Sequence, residues 1–86
     1  MNMPEIIAEH LKQFAGHRKD VGAPDYLVYR RRDVSPVHWV LIKFEEPGKI
    51  GLVSGTDWGT AANDTVFITD PDFLDKITNF MNRHLR

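Results

Sequence analysis

The stretch HWVLIKFEEPGKIGLVS, His38 to Ser54, decides the architecture. In its first seven residues His38, Val40, Ile42 and Phe44 fall on one side of an extended chain and Trp39, Leu41 and Lys43 on the other, because successive strand side chains point to opposite faces. The first set reads as core. EEPG then supplies a tight-turn signal, with Pro47 pre-setting its own φ and Gly48 free to adopt a positive one. KIGLVS resumes a β-rich run, so the two runs read as antiparallel neighbours.

Working outward, YLVYRR (Tyr26 to Arg31) and TVFIT (Thr65 to Thr69) are the other β-rich runs. RDVSP allows a hairpin between the first and second runs, and Pro36 forbids a ladder donor at its own position. Before them, PEIIAEHLKQFAG predicts a helix, since Ile7, Leu11 and Phe14 recur on one stripe. Asn2 or Met3 would cap it, Pro4 suits the first turn and Gly16 suits the residue past the last. HRKDVGAP, His17 to Pro24, reads as a connector. At the other end, TDPDFLDKITNFMNRHLR predicts a second helix, with Asp70 as N-cap, Pro71 as first helical residue and Asp72 in the first turn. Phe73, Leu74, Ile77, Phe80, Met81, His84 and Leu85 form its apolar stripe. The expected fold is α+β: a single domain, residues 1–86, built as a two-layer sandwich. Its four-stranded, mainly antiparallel sheet carries the N- and C-terminal helices on one face, in the order α-β-β-β-β-α.

Two helices cannot cover both faces of such a sheet. Extending the alternation assigns Ile50, Leu52, Val66 and Ile68 to the helix-covered side and leaves Val53, Thr65 and Phe67 beside Trp39 and Leu41. The second face is then expected to meet water, ringed by Lys43 and arginines of the 30–32 triplet. An exposed apolar patch of this kind marks a contact surface, and Trp and Arg are the residues that dominate interface energetics.

Composition narrows the function classes. An 86-residue domain buries only about 60 to 65% of the surface its unfolded chain exposes, so pairing with a second copy or a partner is an attractive supplement. With 42% hydrophobic and 27% charged residues the chain reads as folded, not disordered. There are no cysteines, which removes disulfides, thiolate zinc sites and cysteine nucleophiles. No apolar run approaches a membrane span, and the first residues lack the order of a signal peptide, so a cytoplasmic location is expected. The formal charge of −1 disfavours a dedicated nucleic-acid binder. Charge is uneven: seven Lys and Arg stand against five acids up to Phe44, and four against seven from Glu45 onward.

Few groupings carry chemistry. Arg30, Arg31 and Arg32 are a possible anion fork, but in a strand Arg30 and Arg32 point opposite to Arg31 and do not converge. SGTDWGTAANDT, Ser54 to Thr65, reads as a long polar loop with Trp58 as its aromatic anchor. Asp57 and Asp64 within it lack the spacing of a calcium site, and His10, His17, His38 and His84 lack that of a helical zinc site, so no metal is expected. Asp33, Ser35 and His38 are triad residue types without the strand, turn and helix context of a nucleophile elbow. No cofactor motif is present: Gly48, Gly51, Gly55 and Gly59 match neither dinucleotide nor phosphate-loop spacing.

The helix, three strands and helix, with PDYLVYRRRDVSPVHWVLIKF, are similar in outline to a double-stranded-RNA-binding domain over about half the chain. Such domains resemble one another most in a lysine-rich entry to the final helix. Here Thr69, Asp70, Pro71 and Asp72 stand at that entry, and carboxylates repel a duplex. No family is assigned on this likeness.

The function expected from these readings is a non-enzymatic interaction module of inhibitor, immunity or regulatory type. It would bind a protein partner or itself, as a homodimer, through Trp39, Leu41, Lys43, Val53 and Phe67 on the open face and Trp58 in the 54–65 segment. A nucleic-acid or nucleotide binder using Arg30 to Arg32, with Trp39 and Trp58 as stacking platforms, is the alternative.

Overall fold

The computed structural model describes residues 3–19, 26–31, 33, 35–46 and 48–85. Helix α1 (Met3–His10) leads through a 3-10 helix (Lys12–His17) into a two-residue strand β1 (Arg18–Lys19). Strands β2 (Tyr26–Arg31), β3 (His38–Glu46), β4 (Lys49–Thr56) and β5 (Gly59–Phe67) follow, and α2 (Phe73–His84) closes the chain. The sheet runs β1-β2-β3-β4-β5 with every neighbouring pair antiparallel. The expected α+β sandwich is therefore the fold, its four main strands joined at one edge by the short β1, which the connector reading did not anticipate.

The register sets the faces. Leu27 pairs with Ile42, Tyr29 with Val40, Ile42 with Leu52 and Ile50 with Val66, and cross-strand partners share a face. These residues, each at most 7% exposed, form one core with Ile7, Leu11 and Phe14 of the N-terminal helical segment and Ile77, Phe80, Met81 and Leu85 at the C-terminal end. Helix α2 packs on β3, β4 and β5, while α1 and the 3-10 helix pack on β2. Both helices thus lie over one face, and Ile68, just past β5, packs on the rim of the same core.

Helix boundaries depart from the expectation at two points. The first helix stays α-helical only to His10, and then tightens: the Phe14 N–H donates to the Leu11 carbonyl at 2.8 Å, three residues back. Leu11 and Phe14 still reach the core, so the stripe survives the change of pitch, whereas Gly16 lies inside the tightened turn and does not terminate a helix. The second helix begins at Phe73, with Asp72 at the N-cap position making no side-chain capping bond. The Phe73 N–H donates to the Asp70 carbonyl at 3.2 Å, which makes Asp70, Pro71 and Asp72 a turn ahead of the helix. The acids serve the first turn through Lys76, whose Nζ lies 3.2 Å from Asp70 and 3.6 Å from Asp72. The hydrogen bond to Asp70 raises the Lys76 pKa above its ordinary value.

The largest departure is the segment 54–65. It is no loop: β4 runs on to Thr56, Asp57 and Trp58 make a tight turn, and β5 starts at Gly59 with φ +134°. The run read at Thr65 to Thr69 is the end of β5, which stops at Phe67; its first six residues, Gly59 to Asp64, were unreadable because none of them is buried, so no alternation marks them. At the other end of β4, Gly48 takes the expected positive φ of 85°, and its carbonyl accepts from the Ile68 N–H at 2.9 Å.

Ser54 is 2% exposed on the core face, opposite Val40, and its hydroxyl has no partner among the described residues. Ser54→Ala removes a desolvated polar group and leaves little void, so we expect a gain of about 1 kcal/mol in urea unfolding. A loss of that size would show the hydroxyl to be bonded. Among the described residues, no helix is long and apolar enough to cross a membrane.

Candidate protein-docking face

The face away from the helices is built in rows across β2, β3 and β4: Tyr26, Lys43 and Gly51; Val28, Leu41 and Val53; Arg30, Trp39 and Gly55. Trp39, Leu41 and Val53 are half-buried and stand outside the core cluster, as does Val28 at 9% exposure. Phe67, beside Lys49 on the outer strand, is 48% exposed. The alternation read from His38 to Ser54 and extended to Phe67 therefore places Trp39, Leu41, Val53 and Phe67 on the expected side.

Two glycines shape this surface. A Cβ at Gly55 would come within 2.5 Å of Trp39 Cζ2 and 2.9 Å of Cε2, so the indole occupies the trough that the missing side chain leaves. Its Nε1–H donates to the Thr56 carbonyl at 3.0 Å, which fixes the ring over the sheet. At Gly51 the neighbour is the Glu45 carboxylate, 3.5 Å from the position of a Cβ. Lys43 and Lys49 hold it from either side, each with Nζ at 3.8 Å. Glycines at 51 and 55 on the face opposite the core were the signal for these two troughs, and the sequence reading used them only to test phosphate-loop spacing.

The arginine triplet does not form one site. Arg30 lies on the open face beside Trp39, with its Nε buried and without a partner among the described residues. Arg31 belongs to the other face and donates from Nε to Asp33 Oδ1 at 2.9 Å. Arg32 lies outside the described residues.

Trp58 crowns the β4–β5 turn, 87% exposed, with its backbone N–H donating to Thr56 Oγ1 at 3.2 Å. The anchor residue expected on a loop thus stands on the tip of a hairpin. Asp57 accepts from the Val37 N–H at 3.4 Å and ties that tip to the β2–β3 connection, while Asp64 accepts from the Thr65 N–H at 2.8 Å. The two acids are engaged separately, Asp57 in the turn and Asp64 within β5, and among the described residues no three His, Asp or Glu gather as a metal set. His38 faces the helix side, in register with Arg31 and Thr56. An apolar cleft of about 160 Å³ lies between the start of α1 and the β3–β4 turn, walled by Met3, Pro4, Phe44, Ile50 and Ile68 at the rim of the core.

His84 sits at the end of α2 with its ring 4.4 Å from that of Phe80. Burial there, and then the Arg83 charge, hold its pKa below the ordinary 6.5. The unfolded chain therefore binds the proton more readily, so this contribution to stability is complete above pH 6.5 and shrinks as pH falls below it. We expect the loss of melting temperature between about pH 7.5 and 5.5 to be smaller in His84→Gln than in the wild type. Parallel profiles would remove His84 as a cause.

Compared with protein-family models, curated proteins and solved structures, the chain has no match.

Proposed function

We propose that this protein is a non-enzymatic interaction module of inhibitor, immunity or regulatory type, which binds another protein chain through the helix-free face of its sheet. One observation carries the reading: Trp39, Leu41 and Val53 form a contiguous apolar row system outside the core, with Trp39 held in place over Gly55. A ring fixed before binding loses little conformational freedom on contact, and rigid aromatic anchors supply much of an interface's affinity. Exposed Phe67 widens the patch, Lys43 gives it a charged margin, and Trp58 on the hairpin tip offers a second anchor beyond it.

The test is a comparison of wild type with Trp39→Ala and Leu41→Glu for proteins retained from a lysate of the native host, alongside thermal melts. Both variants should lose the retained partner or the self-association, a larger effect than their change in thermal stability. Undiminished retention would move the contact elsewhere. A large fall in melting temperature with unchanged binding and hydrodynamic size would assign Trp39 a structural role instead.

A further inference from the structure

Resting on that reading of the face, we infer that its partner is an acidic protein segment bearing apolar or aromatic side chains, and not a second copy of this chain. The charges on the face are one-sided. Arg30, Lys43 and Lys49 stand around Leu41 and Val53, and the described side chains there include one carboxylate, Glu45, already held between the two lysines at 3.8 Å. This excess of positive charge sits on a chain whose formal charge is −1. The acids lie elsewhere: Asp57 at the hairpin tip, Asp64 on β5, and Asp70, Asp72 and Asp75 around the start of α2.

Face-to-face pairing of two copies would set one cationic surface on another, whichever in-plane two-fold axis related them, and like charges across an interface are unfavourable. Pairing through the sheet edge is obstructed as well. On β5 the outward Thr65 N–H is already taken by Asp64 Oδ1 at 2.8 Å, and the Phe67 carbonyl accepts from the Asp70 N–H at 2.9 Å. The opposite edge, β1, is two residues long. A segment with carboxylates flanking an apolar or aromatic residue satisfies both features of the face: its side chain packs on Trp39, Leu41 and Val53 while its acids meet the rim cations.

The face is large enough for such a segment. Three interstrand spacings of about 4.8 Å, from β2 to β5, and up to nine residues at about 3.3 Å span roughly 15 by 30 Å, room for an extended strand or three helical turns.

The experiment titrates the intact protein with a random copolymer of glutamate and tyrosine, following the Trp39 indole and the Leu41 and Val53 methyl signals by NMR. Parallel arms use a lysine–tyrosine copolymer and oligo-thymidylate, and light scattering gives the oligomeric state. The acidic copolymer should shift the face resonances, bind more weakly as salt rises from about 50 to 300 mM, and lose about tenfold in affinity in the Lys43→Glu/Lys49→Glu variant. Neither of the other polymers should match it, and the protein should remain monomeric.

Equal binding of both copolymers at the face would overturn the charge selectivity while keeping the face as a docking surface. A dimer lost in Leu41→Glu would do the same in favour of a second copy. Oligo-thymidylate binding as tightly as the acidic copolymer would reassign the face to a polyanion of another class. Shifts confined to other surfaces would sink this inference and the reading beneath it together.

Discussion

Ile77→Ala is expected to cost about 2 to 5 kcal/mol of folding free energy. Ile77 is 0% exposed at the centre of the helix face that covers β3, β4 and β5. Its removal forfeits the transfer energy of the deleted methyl groups and leaves a void between helix and sheet. The cost depends on how far the neighbours relax. Phe80, Met81, Ile42 and Leu52 all belong to the same buried cluster, so relaxation there is resisted on every side. Urea unfolding monitored by far-ultraviolet circular dichroism measures it, and a loss below about 1 kcal/mol would contradict the placement of this helix face.

Gly55→Ala is the second large effect, expected at about 1 to 3 kcal/mol or more, through overpacking where Ile77→Ala acts through a cavity. The added methyl would overlap the Gly59 carbonyl and come within 2.5 Å of Trp39 Cζ2, so both the hairpin backbone and the indole must move. Moving the indole also strains its 3.0 Å bond to Thr56. The two contributions can be separated. In a Trp39→Ala background the ring clash disappears and the backbone clash remains, so Gly55→Ala should cost less there without becoming neutral. Equal costs in both backgrounds would mean that the ring does not occupy the Gly55 trough.

The two faces of the sheet were legible in the sequence because successive strand side chains point to opposite sides once β3 and β4 are read as antiparallel neighbours. A single register then assigned Val40, Ile42, Leu52 and Val66 to the core and Trp39, Leu41 and Val53 to the opposite side. Helix α2 was legible for the analogous reason at helical period, its stripe from Phe73 to Leu85 matching the residues that meet the core. Its start was not, because Asp70 and Asp72 are both good caps by residue type, and the turn bond from Phe73 to Asp70 settled the choice. The first part of β5 was hidden because its residues from Gly59 to Asp64 hold strand geometry through pairing with β4 while burying almost nothing of their own.

The order of elements, the helix stripes and the two-sided character of β3 follow from residue types and their periods, which act locally along the chain. Tertiary structure alone decided the rest. Whether Gly59 to Thr65 would loop out or zip against β4, where the Trp39 indole would settle, and which backbone N–H Asp57 would meet each depend on residues brought together from separate parts of the chain. No period along the chain encodes such meetings, since cross-strand register and the space left by an absent side chain exist only once the sheet has formed.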